Sequence, residues 1–448
     1  MIETKEDYTS FINSTVDHSL ILHLVLDSSY IHPTIDNPCV VLIRDVISKK
    51  TYCISFGHED LLVVVNKEMF IKFLNDHKPH KWAFDMKSFI QHFLINNIYD
   101  ANLLIFLYKN KMVELERFET SVHQFFKRQY PQSKCVNKYI PLMKHIDTFD
   151  KMCEEFLKHI SGCECDMGFK KENEVIVKTL SQIESNGICV DENLFGRFFD
   201  APVYDGKVYS KYNIYTPTGR PSNHFDKVNY AALKKDGGSR NCFISRFGLD
   251  GKMVLVDYSA FHPRIICYLT DFDIAPEINI YEYLAQLYFQ KEEINDQDLD
   301  DAKILTFKQL YGWVEEKYEH IKYFKNLKDF INRYWQDFIK DGFIKTPLFK
   351  RIMIKDHVSG ANPSKLFNYV LQATETELGV GILREINTYL KGRPTLPVLY
   401  TYDSILFDFH VSDGEQVLSD IIKIMTLNNK FPVKAYSGKS YGNMNRIY

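Results

Sequence analysis

Two apolar segments that run straight into an aspartate constrain this chain more than any other feature. Met253-Val254-Leu255-Val256 leads to Asp257, and Val398-Leu399-Tyr400-Thr401-Tyr402 leads to Asp403, after which Ser404 opens another apolar run. The first segment predicts a buried strand that flows into a helix over 261–269. The second predicts two strands, 398–402 and 405–409, around a turn at Asp403–Ser404. An acid at the mouth of a buried strand is a metal ligand on a rigid base. Taken alone, either aspartate is more often a turn residue or a cap. Together they suit phosphoryl transfer, which needs positioning and charge neutralisation more than covalent help. Mg²⁺ prefers oxygen ligands and keeps several waters, so two carboxylates plus substrate phosphates suffice.

Between the two acids lies a segment from Ala302 to Gly312 in which Lys303, Phe307 and Tyr311 recur at i, i+4 and i+8. On a helix these three share a face. A cation, a flat ring and a phenol in line could meet a triphosphate, a base and a sugar. An amphipathic helix with a snorkelling lysine explains the same spacing.

The rest of the chain reads as α/β. Residues 20–26, 39–43 and 61–65 look like buried strands, and 86–95 and 102–108 look helical. The stretch 151–199 is mostly helical, 201–246 is rich in turn formers, and long helical patterns cover 298–340 and 364–390. At 448 residues, two or three domains are expected. The net charge of −3 neither supports nor excludes a nucleic-acid partner, because a basic surface could be local. Nine cysteines are scattered without paired C-x-x-C knuckles. Cys163-x-Cys165 is weak support for zinc, and reduced thiols in a cytoplasmic or nucleoid-type intracellular compartment fit better. The opening residues do not resemble a targeting signal, and no apolar run is long enough for a membrane span.

The order of short motifs then adds a resemblance. Thr218-Gly219-Arg220-Pro221-Ser222-Asn223, followed by Val228-Asn229-Tyr230, resembles the T-G-R-x-S element of the DNA polymerase I-like (family A) DNA polymerases. Ser239-Arg240-Asn241-Cys242-Phe243 resembles their R-x-x-F element. Asp257-Tyr258-Ser259 with Arg264 is similar to motif A, Lys303 through Gly312 to motif B, and Asn368 through Gln372 to the N-x-x-x-Q helix. Tyr402-Asp403-Ser404 falls where motif C is expected. Upstream, 180–194 resembles the helix and turn that open the polymerase half.

This resemblance implies a right-hand fold with an antiparallel palm sheet (201–275 and 360–448), helical fingers (about 276–359) and a vestigial thumb (about 166–200). The polymerase domain would span 166–448. It implies template-directed addition of dNMP to a primer 3′ end with two Mg²⁺ ions, or Mn²⁺, held by Asp257 and Asp403. His262, Lys303, Phe307 and Tyr311 would bind the nucleotide. Arg220, Asn229, Arg240, Arg264, Asn368 and Gln372 would meet primer–template DNA, partly through minor-groove acceptors that differ little between base pairs. A processivity factor or single-strand-binding protein is a further expected partner. Residues 1–165 resemble the family's 3′–5′ exonuclease domain and imply an RNase H-like fold, with Asp27, Asp85 and Asp147 as a vestigial acid set.

The sequence also departs from the family pattern. Leu299 stands where motif B has an Arg, Ser404 where motif C has a Glu, and Tyr402 where it has a His. His262 occupies the place of a motif A Glu, and Ser29 that of a metal-binding exonuclease Glu. Only about thirty residues separate Asp191 from Thr218, too few for two long thumb helices at 1.5 Å per residue. Weak proofreading and low processivity are expected. A single-subunit RNA polymerase-like enzyme and a catalytically degenerate primer–template binding module are the alternatives.

Overall fold

The computed structural model describes residues 1–28, 31–115, 117, 124 and 137–448. The chain divides into two compact units, Met1–Ser185 and Asn186–Tyr448.

The first unit is built on a five-stranded sheet. Its elements run α1 (Lys5–Thr15), β1 (Leu20–Leu26), β2 (Pro38–Asp45), β3 (Thr51–Ser55), α2 (Lys67–Asp76), β4 (Lys81–Phe84), α3 (Met86–His92), β5 (Ile98–Asp100), α4 (Ala101–Lys109) and α5 (Leu142–His159). The strand order is β3-β2-β1-β4-β5. β1 and β2 pair antiparallel, as do β2 and β3, whereas β4 and β5 run parallel to β1. β1 is the central strand, and its seven residues, Leu-Ile-Leu-His-Leu-Val-Leu, are all buried. A strand covered on both faces needs a continuous apolar run rather than alternation.

One expected strand is absent. Residues 61–65 form a loop in which Leu61 and Val65 are buried while Leu62 and Val63 face solvent. Asn66 caps the helix that follows at once, its side chain accepting from the Met69 N–H at 2.9 Å. The third strand is instead Thr51–Ser55, whose mixed sequence Thr-Tyr-Cys-Ile-Ser carries a weaker apolar signal.

The helical stretch expected at 151–199 is interrupted. α5 ends at His159, and α6 (Met167–Lys171) runs through a π-helical turn (Glu172–Val177) into α7 (Lys178–Asn186). Inside the π turn, the Asn173 side-chain Oδ1 accepts from the Asp100 N–H at 2.7 Å and its Nδ2 donates to the Phe169 carbonyl at 2.9 Å.

The second unit begins with short pieces: β6 (Ile188–Cys189), α8 (Glu192–Phe198), β7 (Lys207–Val208), β8 (Tyr212–Asn213), β9 (Ser222–Phe225) and β10 (Val228–Asn229). Then come β11 (Gly251–Tyr258), α9 (Phe261–Leu269), α10 (Ile280–Phe289), α11 (Asp296–Tyr311) and α12 (Lys322–Asp341). A small hairpin, β12 (Phe343–Lys345) with β13 (Ile352–Ile354), precedes the long α13 (Pro363–Tyr389). The chain closes with β14 (Leu396–Thr401), β15 (Ser404–His410), α14 (Gly414–Met425), β16 (Val433–Ser440) and β17 (Asn443–Arg446).

β14-β15-β11-β16-β17 form one sheet in that order, and each neighbouring pair is antiparallel. β11 lies at its centre, so the first acid-tipped segment is flanked on both sides. Helix ends follow the sequence signals. Asn295 and Asp298 form a capping box at the start of α11, and Asn362 with Pro363 opens α13. Gly342 ends α12 in the left-handed region at φ 77°. Gly379 lets α13 lie close to β14, since a Cβ there would stand 2.6 Å from the Tyr400 hydroxyl. No helix among the described residues is long and apolar enough to cross a membrane.

Candidate active site

The two acids that opened the sequence argument meet at one end of the five-stranded sheet of the second unit. Asp257 is the penultimate residue of β11, opposite Ser404 on β15 and Lys434 on β16. Asp403 belongs to the turn Tyr402–Asp403 between β14 and β15, one residue earlier than the sequence suggested. Tyr402 takes a left-handed conformation at φ 58°, a strained choice for an aromatic residue. The turn is held by two backbone bonds, Asp403 N–H to the Thr401 carbonyl (2.6 Å) and Tyr258 N–H to the Asp403 carbonyl (2.9 Å). The second bond ties the turn to the end of β11 and brings the aspartates together.

Their electrostatics are those of a strained pair. Burial pushes the Asp257 carboxyl up to about 6, and the neighbouring charge of Asp403 adds to the rise. Lys235, Lys434 and Arg240 act in the opposite direction. Asp403 stands at an exposed turn tip yet is crowded by protein, so desolvation raises its carboxyl too, with Glu375 adding to the effect. No described side chain donates a hydrogen bond to either carboxylate. Two like charges held close without side-chain donors favour a cation between them.

The donor set fits Mg²⁺ or Mn²⁺. It offers hard oxygen ligands and leaves further positions for water and phosphate. Among the described residues no group of three or more His, Cys, Asp or Glu is placed to hold a metal ion.

Around this pair, Glu375 of α13 gathers side chains from two other segments. It is 2% exposed. Its Oε2 lies 2.9 Å from Arg220 Nε, and its Oε1 lies 2.9 Å from His262 Nε2. Both approaches are oblique, so they hold as close charge contacts rather than linear hydrogen bonds. The Arg220 guanidinium also stacks over the Tyr402 ring at 3.7 Å. His262, in the first turn of α9 just after left-handed Ala260, bonds through Nδ1 to the Tyr311 hydroxyl.

Tyr311 and Phe307 stack nearly parallel on α11, 5.7 Å between centroids at 11°, and Tyr281 of α10 packs against Phe307 at 6.1 Å. Asn368 of α13 donates to the Tyr311 carbonyl at 3.0 Å, fixing the last turn of α11. Gln372, half-buried, sits one turn further along α13.

The remaining expected residues take varied places. Lys303 is on the exposed face of α11, paired with Asp300 at 2.9 Å. Asn229 is exposed at the end of β10. Arg240 bonds the Leu233 carbonyl through Nε and Nη2 (3.1 and 2.6 Å) and lies 4.4 Å over Tyr441. Arg264 is 4% exposed, and its guanidinium donates to the carbonyls of Ile274, Ala275 and Ile278, stapling the loop after α9.

In the first unit, Asp27 follows β1, and its carboxyl is raised by burial and by Asp36, against the influence of Lys138 and a hydrogen bond with Asn37. Asp36 accepts from the Ser28 N–H and hydroxyl at 3.1 and 2.8 Å. Asp85, left-handed at φ 52°, caps α3 and accepts from the Ser88 hydroxyl at 2.6 Å. Asp147 is exposed on α5, and Ser29 lies outside the described residues.

Glu375 escaped the sequence argument. Its signal was present: Asn368, Gln372 and Glu375 fall at i, i+4 and i+7, one helix face, in a helix otherwise buried along much of its length.

The chain is similar over its whole length to the POL domain of Pol1 from M. smegmatis, solved in complex with DNA primer-template and dNTP. The TM-score is 0.69, the identity 14%, and 98% of each chain is covered. No protein-family model matches the chain, and neither does any curated protein sequence.

Proposed function

We propose that this protein is a template-directed DNA polymerase that adds dNMP to a primer 3′ end. The observation that carries the proposal is the apposition of Asp257 and Asp403, without side-chain donors among the described residues, at the end of an antiparallel sheet. The whole-chain likeness to a polymerase domain solved with primer-template and dNTP supports it.

In this reading the central sheet is the palm and α10 to α12 are the fingers. Asp257 and Asp403 would hold two divalent ions. When bound, such ions neutralise charge on the attacking and leaving oxygens. Lys303 meets the triphosphate once it leaves Asp300. Phe307 stacks against the incoming base, while Tyr311 and His262 wall the sugar side of the pocket. Asn368 and Gln372 face the primer–template minor groove from α13, with Arg220, Asn229 and Arg240 contributing contacts nearer the primer. Arg264 acts on the loop it staples.

Primer extension with dNTPs and Mg²⁺ tests the proposal directly. Templated extension is expected, and its absence with Mg²⁺ and with Mn²⁺ would sink the idea. Extension with rNTPs at rates equal to dNTPs would favour an RNA polymerase instead.

Low processivity belongs to the same proposal. Between α8 and Thr218 the structure places only β7 and β8, of two residues each, where a duplex-gripping pair of helices would need far more chain. Fewer backbone contacts release fewer counterions and weaken duplex binding. Under a DNA trap, short products that shorten further with salt are expected. Long products from the isolated protein in moderate salt would refute this part.

The first unit's order β3-β2-β1-β4-β5, with two antiparallel and two parallel junctions, supports an RNase H-like reading with vestigial nuclease acids.

A further inference from the structure

His262 stands where the motif A pattern has an acid, yet an acid is present beside it from another element. Glu375 of α13 reaches His262 Nε2 at 2.9 Å, and the opposite ring nitrogen, Nδ1, meets the Tyr311 hydroxyl. With a carboxylate at Nε2, that nitrogen carries the proton and Nδ1 accepts from the tyrosine O–H; the tautomer follows from the partners. Nδ1 is therefore hydrogen-bonded and Nε2 lies in close, oblique charge contact with Glu375, so turning the imidazole over forfeits both interactions.

Glu375 is 2% exposed and is placed on the one long helix that also carries Asn368, which holds the carbonyl of the same Tyr311. Two points on α13 thus fix two points of the His262–Tyr311 pair.

We propose that Glu375 is the positioning residue of the sugar side of the nucleotide pocket, standing in from α13 for the acid that motif A lacks. This inference rests on the polymerase reading above. A ring hydrogen-bonded on one side and held by a buried charge on the other excludes a 2′-hydroxyl by shape, whereas a ring free to swing admits one. Glu375 also touches Arg220, but a loosened Arg220 affects deoxy- and ribonucleotides alike. Only the His262–Tyr311 branch distinguishes them.

The test is single-nucleotide insertion opposite dT, measuring kcat/KM for dATP and for ATP with wild type, Glu375→Gln, His262→Ala and the double variant. Glu375→Gln should lower the dATP:ATP preference about tenfold, the scale of a small steric misfit in a pocket. His262→Ala should lower it at least as far. The double variant should be no worse than His262→Ala, because Glu375 acts through His262. A Glu375→Gln enzyme that loses both activities in proportion, keeping its preference, overturns the inference. Losses that multiply in the double variant overturn it too.

Wild-type protein that does not insert dATP removes the polymerase reading and this inference with it. Wild-type insertion with unchanged preference in the variant removes the inference alone. Should Glu375→Gln melt below the assay temperature, Glu375→Asp, which keeps the charge but withdraws it by one methylene, faces the same two outcomes.

Discussion

The two units treat their acids in opposite ways. In the first unit, Asp85 and Asp36 are satisfied by neighbours: serine hydroxyls and N–H groups donate to both, and Asp85 serves as a helix cap. In the second, Asp257 and Asp403 are brought together by the sheet and receive no side-chain donors. A carboxylate that the protein itself satisfies has little need of a cation. One pressed against another carboxylate without donors gains most from a cation. The contrast separates aspartates that the protein itself satisfies from aspartates that it leaves open to a cation.

The sharpest way to break this contrast is to remove an acid from the second unit. Asp257→Ala and Asp403→Ala should each reduce nucleotide addition by roughly a thousandfold or more, because charge stabilisation dominates such reactions. Folding, followed by circular dichroism, should persist. Near-wild-type extension by either variant would place the chemistry elsewhere.

The next largest effect concerns stability in the first unit. His23, fully inside β1, is held neutral by burial, which lowers its pKa to about 4; Asp85 opposes this. Burial lowers His58, His77 and His92 as well. The folded value lies below the unfolded one, near 6.5. As pH falls, the unfolded chain takes the proton first. The contribution is therefore intact above pH 6.5 and is lost progressively towards pH 4. For His23 alone the loss is about 3 kcal/mol. Denaturant midpoints measured from pH 7.5 to 4 should fall, and His23→Phe should flatten that slope. An unchanged slope would mean that His23 is solvated.

A smaller change is expected at the sugar. His262→Ala should raise incorporation of rNTP relative to dNTP by roughly tenfold. An unchanged ratio would make His262 a packing residue.

The smallest effect is a null one. Asp27→Ala and Asp85→Ala should leave Mg²⁺-dependent release of nucleotides from a single strand where it began, near zero. Robust release that disappears in Asp27→Ala would erase the contrast between the units.

Much of the second unit was legible because its signals are local. An apolar run ending in Asp257, the helix from Phe261 to Leu269, and caps such as Asn295 and Asn362 each declare themselves within a few residues. The misplaced strand at 61–65 fails for the same reason. Its apolar run is real, but two of its residues face water, and burial is a property of the whole sheet. Thr51–Ser55 is a strand because β2 lies beside it, which no local pattern announces. Glu375 was hidden for a related cause. Its meaning comes from Arg220 and His262, which stand more than a hundred residues earlier in the chain. Arg264 was read from its motif position, whereas its geometry depends on carbonyls in a loop that the motif does not describe.

α13 is a single rod of 27 residues, about 40 Å long. Asn368, Gln372 and Glu375 project from one face of it, so the three roles proposed for them would share one mechanical part. For mutational paths this predicts epistasis. A substitution at 375 that admits altered sugars turns the same rod that carries 368 and 372. Selection for new nucleotides should then recover paired changes along α13, and each alone should be worse than the two together.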